Sequence, residues 1–490
     1  MKRLQMNVPA GLIILFIFSG CESVQQHNLN EVSSGEYWKK QALDDMIPFW
    51  TRYAQDSLYG AFCTNIGAGW KWGDDTRKYP GMISRHIFSY AVAYLLSGDE
   101  KYLDIARQTK DFLIDHAWDK EYGGWFDVLD QQGNPVEKTK SLFIQAYAIT
   151  GLTMYYFVTH DKNVLQYIEQ SNALLETKAW DNINGGYFNR MTREWKVIDN
   201  QKTLASQLAP VSGYLLYLYL SARDRKYLDQ TAKIMDVVCS HAICNEYGWA
   251  LENFDKEWNY TEGKPDKVNI GHNLEVAWIL MRLRLLNNNP SYLRTVNDLE
   301  QNFRKYGYAE ANGFWFTSIE KANPENHDDF TYWWVQAYGN MYHLCSFRTS
   351  GKEVFLSDFG KGARFWDSFF IDRKDGDTFF SVLQSGQVKD SIKANPFKVS
   401  YHSMEHCLLN FAYLNFWVNR QPVELYFAVN TETDEDTLYP VFMEDNRVIV
   451  NKAFYDKNGK EVSLKIIGRQ AILLPASKDL KIRTILEYTQ

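Results

Sequence analysis

In "NIGHNLEVAW" (269–278) a histidine stands three residues ahead of a glutamate inside an apolar run. Helical residues three or four apart are neighbours, so His272 and Glu275 share a face. Imidazole titrates near neutrality and can both take and return a proton. Other apolar runs carry similar polar exceptions. "SRHIFSYAVAYLL" offers Arg85, "SLFIQAYAITGL" offers Gln145, and "TLASQLAPVSGYLL" offers Ser206 and Gln207. "TYWWVQAYGNMY" offers Trp333, Trp334, Gln336 and Tyr338; "YHSMEHCLL" offers His402, Glu405 and His406. A guanidinium can hold developing oxyanion charge, paired carboxylates can cleave glycosides, and aromatic faces can stack on sugar rings. A single such residue in a core is more often a satisfied structural group. Recurrence at one phase of successive runs points instead to a shared site.

That phase comes from a repeat of roughly 63 residues. "DEKYLDIARQTKDFLIDHAWDKEYGGWF" (99–126) and "DKNVLQYIEQSNALLETKAWDNINGGYF" (161–188) follow one plan, and further copies begin near 224, 289 and 351. Leu103, Leu165, Leu228, Leu293 and Leu356 mark the five, and "QALDDMIPFWTRYAQDSLYGAF" (41–62) reads as an earlier sixth. In each copy an Asp, Asn or Gly opens an amphipathic helix. A glycine–aromatic loop closes it. A second helix, apolar on most sides and therefore buried, follows near Ser84, Ser141, Leu204, Gly271, Tyr332 or His402. Pro210 should disturb the third of these. Six amphipathic and six apolar helices predict an all-α (α/α)6 barrel over 40–420, with a linear helical solenoid as the competing arrangement. In a closed ring the polar exceptions line one cavity.

From 421 to 490 the pattern changes to short β-rich runs such as "VELYFAVN" and "RVIVNKAFY". A small β-rich domain is expected there, capping the barrel. At the other end, "MKRLQMNVPAGLIILFIFSGC" has two basic residues, a short apolar stretch and small residues before Cys21. Residues 1–20 read as a lipoprotein signal peptide with Cys21 lipidated, and 21–39 as a linker. This places the protein on the bacterial cell envelope, touching membrane only through its lipid anchor. The remaining five cysteines are odd in number and lack CxxC spacing, so free thiols are expected.

Aromatic residues make up 16% of the chain, which suits a large core and ring stacking. A net charge of −7 without a basic stripe excludes a broad nucleic-acid footprint. No phosphate-binding glycine loop occurs.

The ordered set "SRHIFSYAVAY", "DKEYGGWF", "GHNLEVAWIL", "YWWVQA" and "NPFKVSYH" resembles the motif series of the N-acylglucosamine 2-epimerase superfamily, nearest to cellobiose 2-epimerases, over about residues 40–418. The resemblance implies an (α/α)6 barrel that moves a proton beside a sugar carbonyl, without cofactor, metal or nucleotide. It implies His272 and His402 as the catalytic acid–base pair on a mono- or oligosaccharide. Arg85 would polarise the reacting oxygen, and Glu275 would orient His272 or hold a hydroxyl. Trp334 and Phe397 would stack on the rings; Trp333, Tyr338 and Glu405 complete the candidate binding set. Three features depart from the series. The third apolar helix lacks its usual histidines, Tyr338 replaces a glutamate, and Glu405 stands where an arginine is usual. These departures imply an altered substrate or a lost activity. A hydrolase or lyase using Glu275 and Glu405, an inactive glycan-binding protein, and a metal site at His402 and His406 are the competing readings.

Overall fold

The computed structural model describes residues 31–489 apart from 245, 262–265, 288 and 432–435. The signal segment and Cys21 lie outside the described residues. The helical body runs from Gly35 to Asn419 as alternating outer and inner helices. The outer ones start with Gly35–Lys40, Glu100–Ala117, Lys162–Leu174, Arg225–Val237, Pro290–Asn302 and Glu353–Phe365. Side chains of Asp99, Asp161, Asp224 and Asn289 accept backbone N–H bonds at four of their starts. These acceptors satisfy amides that a helix cannot satisfy itself.

Inner helices one to six start with Pro80–Ser97, Leu142–Thr159, Leu204–Pro210, Ile270–Asn287, Trp333–Ser350 and Tyr401–Tyr413. They are buried almost throughout. The first begins earlier than expected because Pro80, lacking an N–H, sits readily in a first helical turn. The third changes after Pro210 into a π-helical turn, Val211–Leu215, before resuming as Leu216–Ala222. Each inner helix packs on the next in chain order, and the sixth returns to the first.

Short strands stitch the repeats together, so the helical body is not purely α. The strand entering an inner helix pairs with the hairpin of the following repeat: Lys140–Ser141 with Arg190–Met191, Lys202–Thr203 with Asn253–Phe254, Lys267–Asn269 with Ser318–Glu320, and Phe330–Tyr332 with Ser381–Leu383. A single bridge between Ile66 and Ala394 joins the first repeat to the last. Two- and three-residue strands carry no readable period, which is why the sequence pattern misses them.

The same repeat clamps its loops. Gln145 accepts from the Trp125 N–H at 2.8 Å and donates to its carbonyl at 2.6 Å. Gln207 does so for Tyr187, Asn273 for Ala250, and Gln336 accepts from the Trp315 N–H. Gln145, Gln207 and Gln336 are therefore loop clamps. The indole N–H of Trp195 and of Trp258 closes the preceding loop from its other side. Gly124 has φ 73°, and a Cβ there would lie 2.4 Å from Trp195 and 2.8 Å from Gln145, so only glycine fits.

Beyond Val423 the chain forms two antiparallel sheets. The four-stranded one is ordered Val423–Thr431, Ser477–Tyr488, Val448–Lys457, Lys460–Ser463. Its first strand buries Val423, Leu425, Phe427 and Val429 and packs on inner helices one and two. Phe427 meets Phe157 edge-on, near the C-terminal end of helix two. Cys63, Cys239, Cys244, Cys345 and Cys407 are free thiols.

Candidate active site

The N-terminal ends of the inner helices enclose a cavity of about 270 Å³. Its wall includes Arg85, His272, Glu275, Trp333, Trp334, Tyr338, Phe397 and His402. The ring closure brings these together from helices one, four, five and six and from the loop before helix six. Phe143, Tyr147, Tyr332 and Phe380 also line it. In the sequence these four look like ordinary core aromatics, and no pattern sets them apart.

His272 occupies the first turn of helix four. Its Nδ1 lies 2.9 Å from both carboxylate oxygens of Glu252. Burial disfavours the imidazolium, but the charge and hydrogen bond of Glu252, with the charge of Glu275, outweigh it and hold the group at about 9. Nδ1 is thereby fixed as a protonated donor, and Nε2 is the nitrogen free for other work. Glu252 was not a sequence candidate. It stands in "WALENF", a hairpin twenty residues upstream of His272, and only the pairing of that hairpin with the entry to helix three brings it across.

His402 sits in the first turn of helix six, beside Trp333, Trp334 and Tyr338. Burial, then the positive charges of Arg85 and His272, push it well below the usual histidine range. It is a neutral imidazole. The Trp334 indole lies near both histidine rings, 5.4 Å from His272 and 6.3 Å from His402 by centroids. One cavity thus holds a cationic and a neutral imidazole.

Arg85 lies flat on Tyr147, with Cζ 3.7 Å from the ring centroid, and is 5.3 Å from that of Tyr401. Its Nη1 donates to the Phe397 carbonyl at 3.1 Å. Phe397 itself is 66% exposed at the cavity mouth. Glu275 accepts from the Tyr338 hydroxyl at 3.4 Å, and burial raises its carboxyl above the usual range. Tyr338, where a glutamate was expected, therefore serves as a neutral donor.

Glu405 does not line the cavity. It is fully buried behind the wall, accepting from Tyr217 at 2.7 Å and from Tyr401 at 3.2 Å. Burial pushes it up to about 7. A direct sugar contact at Glu405 is thus corrected by the packing. His406 is packed between Trp38 and Trp366 and bonded to Asn340, away from the surroundings of His402. Burial lowers it to about 3. Among the described residues no three metal-ligating side chains come together. Ser206 bonds to Asn189 and Thr203 and lines a neighbouring hollow of about 450 Å³, which shares Phe143 with the first.

The profile of the N-acylglucosamine 2-epimerase family matches residues 72–406. Cellobiose 2-epimerase of Bacteroides fragilis is 25% identical over 385 residues, covering 76% of this chain and 96% of that protein. In backbone, the chain is similar to cellobiose 2-epimerase from Bacillus thermoamylovorans, with TM-score 0.71, 23% identity and coverage of 77% of this chain and 98% of the other. It is similar also to a D-mannose isomerase, with TM-score 0.68, 19% identity and coverage of 81% and 100%. The protein is a carbohydrate epimerase or isomerase. It belongs to the N-acylglucosamine 2-epimerase family.

Proposed function

We propose that the protein acts at C2 of an open-chain reducing-end sugar, with His402 and His272 as the proton-transfer pair. The observation that carries this is the unequal pair: one cavity holds a neutral His402 and a His272 kept cationic by Glu252. The neutral imidazole takes the C2 proton. Electron density moves onto the carbonyl oxygen, giving an enediolate. Arg85 and the positive ends of the inner helices stabilise that charge. The His272 imidazolium then returns a proton. Delivery to C2 from the opposite face gives the epimer; delivery to C1, with the O2 proton passing to O1, gives the ketose. The reverse reaction exchanges the two roles. Glu275 and Tyr338 hold sugar hydroxyls, and Trp334 and Phe397 provide ring faces. We read the closed order of inner helices as the (α/α)6 barrel.

A carboxylate-driven hydrolase needs two opposed acids at the scissile bond. Glu275 lines the cavity but Glu405 stands behind its wall, which weighs against that reading.

The test is incubation in D2O with mannose, glucose, N-acetylglucosamine, cellobiose and mannobiose, following the C2 proton by NMR. Loss of that signal with a new epimer or ketose is expected, and H402N should abolish it. New reducing ends from longer glycans, without exchange, would transfer the chemistry to carboxylates. We further propose attachment to the bacterial envelope through Cys21. Labelled palmitate should enter the wild type and not C21S; equal labelling of both would refute the anchor.

A further inference from the structure

The cavity wall hides a carboxylate placed between two guanidinium groups, with a tyrosine ring toward each. Glu405 Oε1 accepts from the hydroxyls of Tyr401 and Tyr217. Arg85 lies against the Tyr401 ring, 5.3 Å from its centroid, and Arg282 against the Tyr217 ring at 5.2 Å. Phe88 meets both tyrosines edge-on and fills the space between them. Arg282 is already neutralised by Glu444, whose Oε1 lies 2.8 Å from its Nε. Among the described residues Arg85 makes no salt bridge of that kind, and it feels the charge of the Glu275 carboxylate. The hydrogen bonds of Arg85 go to the carbonyl of exposed Phe397 and the sulfur of Met82, and it lies against the faces of Phe143, Tyr147 and Tyr401. Whatever fixes those faces therefore fixes the guanidinium.

We propose that Glu405 is a positioning residue for the proposed reaction: by holding the Tyr401 hydroxyl it sets the aromatic bed on which Arg85 meets the developing enediolate. The inference rests on the enediolate reading above. It gives the glutamate a role without a sugar contact. Both hydroxyl donors meet on one oxygen, Oε1, while Oε2 has no hydrogen-bond partner among the described residues.

Three variants separate this from a merely structural role. E405L removes the acceptor. E405Q keeps an oxygen for the hydroxyls. Tyr401→Phe keeps the ring and removes only the group that Glu405 holds. Misplacing a stabilising group by about 1 Å costs on the order of 100-fold in rate. E405L and Tyr401→Phe should therefore lower kcat for C2 exchange by about that much, with KM little changed, while E405Q stays close to wild type. Because both act through one hydrogen bond, E405L with Tyr401→Phe should be no slower than either alone. Additive losses, an E405L enzyme of wild-type kcat, or an E405Q enzyme as slow as E405L would overturn the proposal. Should E405L fail to fold, E405Q and Tyr401→Phe still decide it. A crystal structure of Tyr401→Phe adds a readout independent of turnover. Arg85 should leave the Tyr147 face, and an unmoved Arg85 would refute the role. Absence of exchange in the wild type would instead refute the proton-transfer reading, with the Arg85 position still testing this one.

Discussion

The two site histidines differ in charge because their neighbours differ, and this asymmetry governs the response to pH. His272 is raised to about 9, above the ordinary 6.5. Its imidazolium, and the stability gained from pairing with Glu252, are fully present below pH 6.5 and are lost as pH rises through 9. His402 is lowered, so it remains a neutral base well below 6.5. The rate should therefore be flat through neutrality and fall on the alkaline side near pH 9. Glu252→Gln keeps an acceptor for Nδ1 but removes the charge. Its alkaline limb should slide toward neutrality by more than one unit, about 1.4 kcal/mol or more of lost imidazolium preference. A profile of kcat/KM from pH 5 to 10 measures this; coincident limbs in the two proteins would show that Glu252 does not set the acid. The resting contrast also bears on direct replacement of each histidine. H402N removes the proton acceptor and should lose C2 exchange, and H272N removes the proton donor and should lose epimer or ketose formation, each by at least about 100-fold, the general acid–base contribution. Product formed at the wild-type rate in either variant would break the pairing.

At the scale of elements, the recurring amides on the inner helices carry stability. Gln207 meets both backbone groups of Tyr187, so Gln207→Leu leaves a buried N–H and C=O unpaired. A cost of roughly 2–3 kcal/mol is expected. Urea unfolding should show a lower midpoint, while kcat at 25 °C changes little because Gln207 does not line the cavity. A fall in kcat without a fall in midpoint would assign the amide to the chemistry. This is also where the sequence was hardest to read. Helix order, the six-fold repeat and the phase of His272, His402, Arg85 and Trp334 are visible because burial imposes a 3.6-residue period. The same phase makes Gln145 and Gln336 look like site residues, because a loop clamp and a sugar contact both need a polar atom near an inner-helix start. Glu252 stayed hidden for the opposite reason. A lone acid in a hairpin carries no period, and strand pairing alone brings it to His272. The buried Asp–Lys pairs 119–140, 181–202 and 372–393 recur at one spacing of 21 residues, a signal present in the sequence but readable only once the loops are known to fold back.

At the scale of the whole molecule, the two ends of the ring do different work. The N-terminal ends of the inner helices carry positive partial charge toward the cavity, where an enediolate is stabilised. The C-terminal ends carry the opposite partial charge and meet the β-rich unit. There Arg282 and Arg348, near the ends of helices four and five, pair with Glu444 and Asp445 of the chain beyond the ring. Asp445 also accepts from the Trp417 indole of helix six's extension. These bonds, with the Phe157–Phe427 contact, make the β-rich unit part of one core rather than an appended module. Asp445→Ala strands a guanidinium and an indole N–H. Since Arg348 is partly exposed, the cost is expected near 2 kcal/mol, below that of a fully buried broken pair. Its effect should appear in stability and leave C2 exchange intact, because the cavity lies at the far end of the helices. Calorimetry supplies the stronger check. A shared core predicts a single unfolding transition whose calorimetric and van't Hoff enthalpies agree, moved to lower temperature as a unit by Asp445→Ala. Two resolved transitions, only one of them moved by the substitution, would show that the β-rich unit folds and melts independently of the ring.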